Sequence, residues 1–183
     1  MWAGFDDAER RFLTSGFQKG FSIPATLAND PPKKDYQNHA SAYAQSAFVN
    51  AYIQHEIQSH RIAGPFVTPP LPHFIMSPLG VVPKKDPGQF RIIHDLSFPR
   101  NSSVNSTIDP SFTHVTHELL DDCVNVLLKP GPGSLIAKAD IKNAFRIIPI
   151  DPKDYRLLGF QWQGRFFYDK VLPMGCSVSC NIF

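Results

Sequence analysis

The sequence predicts an α+β fold in which helical segments come first and two β-hairpins follow. Three observations point there. The stretch HASAYAQSAFVNAYIQHEIQSHRIAG repeats apolar residues at helical spacing through Tyr43, Ala47, Ala51, Ile53 and Ile57, until Gly64 and Pro65 stop it. Two later stretches, LGVVPKKDPGQFRIIHDLS and DYRLLGFQWQGRFFYDKV, each set two β-prone runs around a short polar turn. With 43% hydrophobic and 19% charged residues, the 183-residue chain has the composition of a globular protein.

Taken in order, the residues before position 39 are mixed and broken by NDPPKKD, which reads as loosely structured. One helix follows, over the stretch quoted above. PFVTPPLPHFIMSP is then Pro-rich and extended. The first hairpin pairs residues 79–83 with 90–96 around a basic tip whose turn residues are Asp86, Pro87 and Gly88. FPRNSSVNSTIDPSF is a polar loop, and VTHELLDDCVNVLLK a helix with Thr116 as its cap, ended by PGPG. SLIAKAD reads as a buried strand, IKNAF as a tight turn, and the second hairpin turns near Gln163 and Gly164. LPMGCSVSCNIF opens like a helix.

Composition excludes several classes. A net charge of +2 is too mild to imply a nucleic-acid partner by itself, so such a reading must rest on where the charge sits. Three cysteines (Cys123, Cys176, Cys180) cannot build a disulfide framework and lack partners at zinc-ligand spacing; reduced thiols in an intracellular protein are expected. No apolar run is long enough for a membrane span. The seventeen prolines, about twice the usual share, point to long ordered loops.

Asp140 is the residue that asks for an explanation. It stands where the run SLIAKA gives out, and an ionised carboxylate at the end of a buried strand needs a partner. Three features bear on it. The hairpin tip carries Lys84 and Lys85, with Arg91 at the base of the returning strand: a point charge and a planar fork suited to phosphate oxygens. Phe145, five residues on, places a ring beside the carboxylate that could exclude a ribose 2′-hydroxyl. In LPMGCS, Gly175 allows close approach of backbone to a ligand.

Each feature alone has an ordinary structural reading; their order is specific. SPLGVVPKKDPGQFRIIHDLSFPRNSSVN, AKADIKNAFRIIPI, DYRLLGF and FFYDKVLPMGCSVSC together resemble a reverse transcriptase, most closely that of the DIRS-type retrotransposons, which encode a tyrosine recombinase. The resemblance covers roughly residues 40–183. It implies the fingers and partial palm of a right-hand polymerase behind a helical N-terminal extension: extension 1–64, fingers-like region 65–130, start of the palm 131–183. By the same resemblance Lys84 and Arg91 meet the phosphates of an incoming deoxynucleoside triphosphate, and Asp95 orients its neighbours. Asp140 is the first catalytic, metal-binding aspartate, with the Ile141 carbonyl as a further ligand to Mg²⁺. Phe145 is the steric gate, and Met174 and Gly175 form the nucleotide-binding turn. Many retroviral enzymes have Gln where this chain has Met174, so Met174 is expected only to pack. The implied partners are an RNA or DNA template-primer and deoxynucleoside triphosphates.

Two metals need more than one carboxylate, and the family's [FY]-x-D-D hairpin does not follow LPMGCS here. GFDD at residues 4–7 and LLDD at 119–122 are no substitutes. The expectation is a reverse-transcriptase fragment, inactive in polymerisation alone and poorly soluble, since the palm sheet would expose strand edges and apolar faces. The alternative is an inactive remnant that binds nucleic acid or a partner. Between Pro78 and Asn105, four basic residues (Lys84, Lys85, Arg91, Arg100) stand against Asp86 and Asp95, which suits weak, salt-sensitive binding. An unrelated strand-Asp nuclease or integrase would need Asp151, Asp154 and Asp169 after a sheet, and these fall in or beside the second hairpin. His114, His117 and Glu118 do not match zinc-protease spacing, and His94–Asp95 reads as part of a strand.

Overall fold

The computed structural model describes residues 4, 6–26, 36–133 and 135–183. The first element was not expected: α1 (Asp7–Lys19) forms in the segment read as loose. Asp6 caps it, accepting hydrogen bonds from the amides of Ala8 and Glu9 at 2.8 Å each, while Glu9 Oε2 accepts from the Asp6 amide. This D-x-x-E capping box is legible in the sequence and satisfies donors that a helix start otherwise leaves open. The chain then turns at Gly20 so that Phe21 and Ile23 enter the core.

The long predicted helix is two: α2 (Ala40–Ala44) and α3 (Ser46–Gln58), broken at Gln45. After α3 comes β1 (Ile62–Phe66), where Gly64 and Pro65 were expected only to end the helix. A proline is tolerated in an edge strand, and β1 is one, with its register interrupted between Ala63 and Phe66. β2 (Leu79–Pro83) and β3 (Phe90–His94) form the first hairpin as a separate two-stranded ribbon. β4 (Gly159–Trp162) and β5 (Arg165–Asp169) form the second, turning at Gln163 and Gly164, both at positive φ as a two-residue hairpin turn requires. β5 pairs with β1 on its other side, giving the order β1–β5–β4. α5 (Ser179–Ile182) is a single turn.

Two apolar cores hold this together. Val49 and Ile53 of α3 pack with Ile62, Leu79, Val81, Ile92, Phe160, Trp162 and Phe167, closing α2 and α3 over the sheet and the ribbon. The second core is built mostly from irregular chain: Phe21, Ile23, Leu96, Val104, Ile108, Ile148, Ile150, Leu157, Leu158, Leu172 and Val178. Its loops are tied by side chains. The buried Asp154 accepts from Ser22 Oγ (3.0 Å) and the Ile23 amide (2.9 Å).

The segment from residue 116 to 140 departs from expectation. α4 (Leu120–Leu128) starts later than the Thr116 cap would place it, and Asp122 Oδ2 accepts from the Leu119 amide in Thr116's stead. No residue of α4 is buried. The stretch SLIAKAD is not a buried strand. Residues 135–140 have no strand pairing, Leu135 is 99% exposed and Ile136 72%. A strand exists only where a neighbour accepts its ladder, and among the described residues none lies alongside. Ser134 lies outside the described residues.

Candidate nucleotide pocket

A pocket of about 540 Å³ opens between α3, the β2–β3 ribbon, the end of β5 and residues 141–146. Phe48, Tyr52, Ile53, Phe90, Ile92 and Phe160 give it an apolar wall. Five of the residues singled out from the sequence line it: Lys84, Arg91, Ile141, Phe145 and Met174. They come from three separate stretches, and the fold brings them to one cavity of nucleotide size.

Asp140 and Gly175 are not on the wall, though each adjoins a residue that is. Asp140 is exposed, so the burial cost that first drew attention to it does not operate. Among the described residues no three His, Cys, Asp or Glu side chains stand close enough to share a metal ion. Asp140 and the Ile141 carbonyl by themselves are too few donors to complete a magnesium site. The close approach that Gly175 permits is to protein: at φ +128°, a Cβ there would lie 2.1 Å from the His94 carbonyl oxygen. The turn is held by the His94 amide donating to the Met174 carbonyl (3.2 Å) and Asn105 Nδ2 donating to the Gly175 carbonyl (2.7 Å). Asn105 Oδ1 accepts from the Ser177 amide (3.0 Å). Asp95 holds its surroundings, accepting from the Ser97 amide (3.2 Å) and standing 2.9 Å from His39 Nε2.

Local structure explains how Phe145 is presented. Asn143 takes a left-handed conformation (φ 56°) and opens a 3-10 turn, Ala144–Ile147. The Phe145 ring packs against the second core and meets the Phe183 ring edge-on at 5.9 Å. The next residue, Arg146, reaches Glu56 and Asp169.

Arg146 centres a buried charge network that the sequence reading missed. Its Nη2 and Nε donate to Glu56 Oε2 (2.5 and 2.9 Å), and its Nη1 to Asp169 Oδ1 (2.6 Å). Arg61 also grips Glu56, through Nη2 to Oε1 (2.6 Å) and Nε to Oε2 (2.9 Å). Asp169 Oδ2 lies 3.1 Å from His94 Nδ1, whose ring partner Nε2 lies 3.0 Å from the Gly159 carbonyl. Burial alone would raise the Glu56 carboxyl; the Arg61 hydrogen bonds and the Arg146 charge outweigh it and hold it below the usual range. Burial acts the same way on Asp169, and the Arg146 charge and the His94 hydrogen bond again win. Arg146, in spite of burial, is held more firmly protonated by Asp169, Tyr52 and Glu56. One signal was available: Val49, Ile53 and Glu56 share one helical stripe, so Glu56 was bound to be buried if the apolar two were.

The network settles the charge of the pocket. Both acids on its wall, Glu56 and Asp169, are neutralised by Arg61 and Arg146. Lys84, Arg91 and Lys142, also on the wall, have no ion-pair partner among the described residues. The cavity suits an anion with an apolar or aromatic body.

No protein-family model matches the chain, and no curated protein sequence does. Solved structures match. Prototype foamy virus protease-reverse transcriptase, as a CSH mutant, is 21% identical over 99% of this chain and 24% of its own, with a TM-score of 0.58. Foamy viral protease-reverse transcriptase in complex with dsDNA is 20% identical over 86% of this chain and 29% of its own, with a TM-score of 0.54. The dRH form of that enzyme with dsDNA gives 19%, 85%, 24% and 0.53. The chain thus spans about a quarter of the length of these structures, and over that span its fold is reverse-transcriptase-like.

Proposed function

We propose that the chain is the fingers and first part of the palm of a retroelement reverse transcriptase of DIRS type, and that its pocket receives a deoxynucleoside triphosphate. One observation carries the reading: Lys84, Arg91, Ile141, Phe145 and Met174, chosen from motifs ninety positions apart at their extremes, line a single cavity whose acids are neutralised. Lys84 and Arg91 hold the phosphates, Phe145 stands against the ribose, and Met174 and Gly175 shape the turn behind it. The foamy viral enzyme's complexes with dsDNA make a template-primer the natural second partner. Asp140 and the Ile141 carbonyl are this chain's share of a Mg²⁺ site for two-metal nucleotidyl transfer that further carboxylates must complete, so polymerisation belongs to a longer protein, in cytoplasm or nucleus. A second reading, a nucleic-acid-binding remnant without chemistry, draws on the same shortage of acids.

Calorimetric titration of the 183-residue chain with dTTP tests the proposal. Saturable binding is expected, weakened at least about 10-fold in Lys84→Ala and Arg91→Ala and reduced by salt. Undetectable dTTP binding alongside salt-sensitive binding of an RNA–DNA hybrid would favour the remnant. In primer extension with Mg²⁺ the chain alone should incorporate nothing; robust synthesis abolished by Asp140→Ala would show that the acids present suffice.

A further inference from the structure

Residues 141–146 stand at a boundary. On their C-terminal side the backbone is pinned: Ile148 accepts from the Leu172 amide (2.9 Å), and Ile150 donates to Lys170 (3.0 Å). On their N-terminal side nothing comparable exists, since residues 135–142 make no backbone hydrogen bond to another element among the described residues. The turn itself closes through the Arg146 amide to the Asn143 carbonyl (2.8 Å) and the Ile148 amide to the Phe145 carbonyl (3.1 Å). What ties its body to the pocket wall is the Arg146 side chain, reaching Glu56 on α3 and Asp169 at the end of β5 at once.

We infer that Arg146 is a positioning residue: it clamps the 143–147 turn across α3 and β5 and thereby fixes the aim of Phe145 into the pocket. The inference rests on the proposed nucleotide role of that pocket. A planar guanidinium with three N–H groups engaged is suited to the task, because it sets the direction of the side chain as well as its charge. Lysine at this position keeps the charge but has no fork with which to span both carboxylates. His94 adds a further stay, since it lies 3.1 Å from the far oxygen of Asp169 and its own amide holds the Met174 carbonyl. The Phe145 turn and the Met174 turn are therefore both referenced to one buried carboxylate.

The experiment compares wild type with Arg146→Lys, which retains charge, and with Glu56→Gln/Arg146→Gln/Asp169→Asn, which removes the buried guanidinium together with both carboxylates it pairs. Two readouts are taken on each: amide hydrogen exchange of the peptide covering 141–148, and the ratio of dUTP to UTP affinity. Arg146→Lys should speed exchange in that peptide about 10-fold while the β4–β5 peptide is unchanged, and should bring the deoxy/ribo ratio toward one. Lys84→Ala, by contrast, should weaken both nucleotides equally. Unchanged exchange in both variants would overturn the clamp. Faster exchange with an undiminished deoxy/ribo ratio would overturn its link to Phe145. If wild type binds neither nucleotide, the nucleotide reading of the pocket fails and the link to Phe145 fails with it, while exchange alone still decides whether Arg146 holds the turn.

Discussion

Two apolar runs flank the turn that carries Phe145, and they meet opposite fates. Downstream, Ile148 and Ile150 are buried, the latter completely, because Pro149 pairs with Val171 and Ile150 with Phe21. Upstream, Leu135 and Ile136 are of the same chemical kind and lie in solvent. α3 and α4 repeat the contrast. α3 lays Val49, Ile53 and Glu56 into a core, whereas α4 exposes Leu120, Val124, Val126 and Leu128. Apolar pattern states what a segment can bury; whether it does so depends on a partner elsewhere in the chain. The described residues of 119–141 thus leave an apolar surface in water.

The sharpest way to break this contrast is at the buried charges on the packed side. Glu56→Ala leaves Arg61 and Arg146 without their shared carboxylate and should cost roughly 3–5 kcal/mol in urea unfolding. A loss under about 1 kcal/mol would mean the network is looser than its geometry. The same groups set the pH response. Glu56 and Asp169 have lower pKa values folded than unfolded, so their contribution is complete above the unfolded range near pH 4 and is lost as pH falls through the folded values. The urea midpoint should therefore hold from neutrality to about pH 5 and drop below about pH 4, with a shallower drop in Glu56→Gln. Equal drops in both proteins would assign acid unfolding to other carboxylates.

Next in size is the direct comparison of the two runs. Ile150→Ala should cost about 3 kcal/mol, since a fully buried side chain leaves a cavity. Ile136→Ala, the same change, should stay within about 0.5 kcal/mol. Comparable losses would place residues 135–140 in a core after all. Thiol chemistry sharpens the same boundary without touching stability: burial pushes the Cys176 thiol up to about 11, while Cys123 and Cys180 are exposed. Two of the three thiols should react with a disulfide reagent in the native protein and all three in urea.

The two hairpins and the turn at Asn143 were legible because their signals are local: turn residues at fixed offsets between β-prone runs. The convergence of Lys84, Arg91, Phe145 and Met174 was legible only through resemblance, since no local pattern relates positions so far apart. β1 was missed because a Gly-Pro pair argues against a strand, and only its place at the sheet edge removes the objection. The α1 capping box was overlooked beside a polar stretch, and the strand expected before Asp140 failed for want of a neighbour. Arg146 could not be found at all from sequence, because its partners lie ninety residues upstream and twenty-three downstream.

The smallest expected effect on stability falls on α4, and it is informative because the side chains involved are large. Leu120→Ser and Val124→Ser remove apolar groups that the described fold leaves in water, so the transfer term that dominates core substitutions is absent. What remains is the lower helix propensity of serine, a few tenths of a kcal/mol per site. The double variant should unfold within about 0.5–1 kcal/mol of wild type. Its self-association should change far more, because exposed apolar patches drive association in proportion to their area. Light scattering at micromolar concentration should therefore show less aggregate in the variant than in wild type. A variant that unfolds several kcal/mol earlier would show that α4 docks on the packed body in solution, and the contrast between the two helices would have to be redrawn.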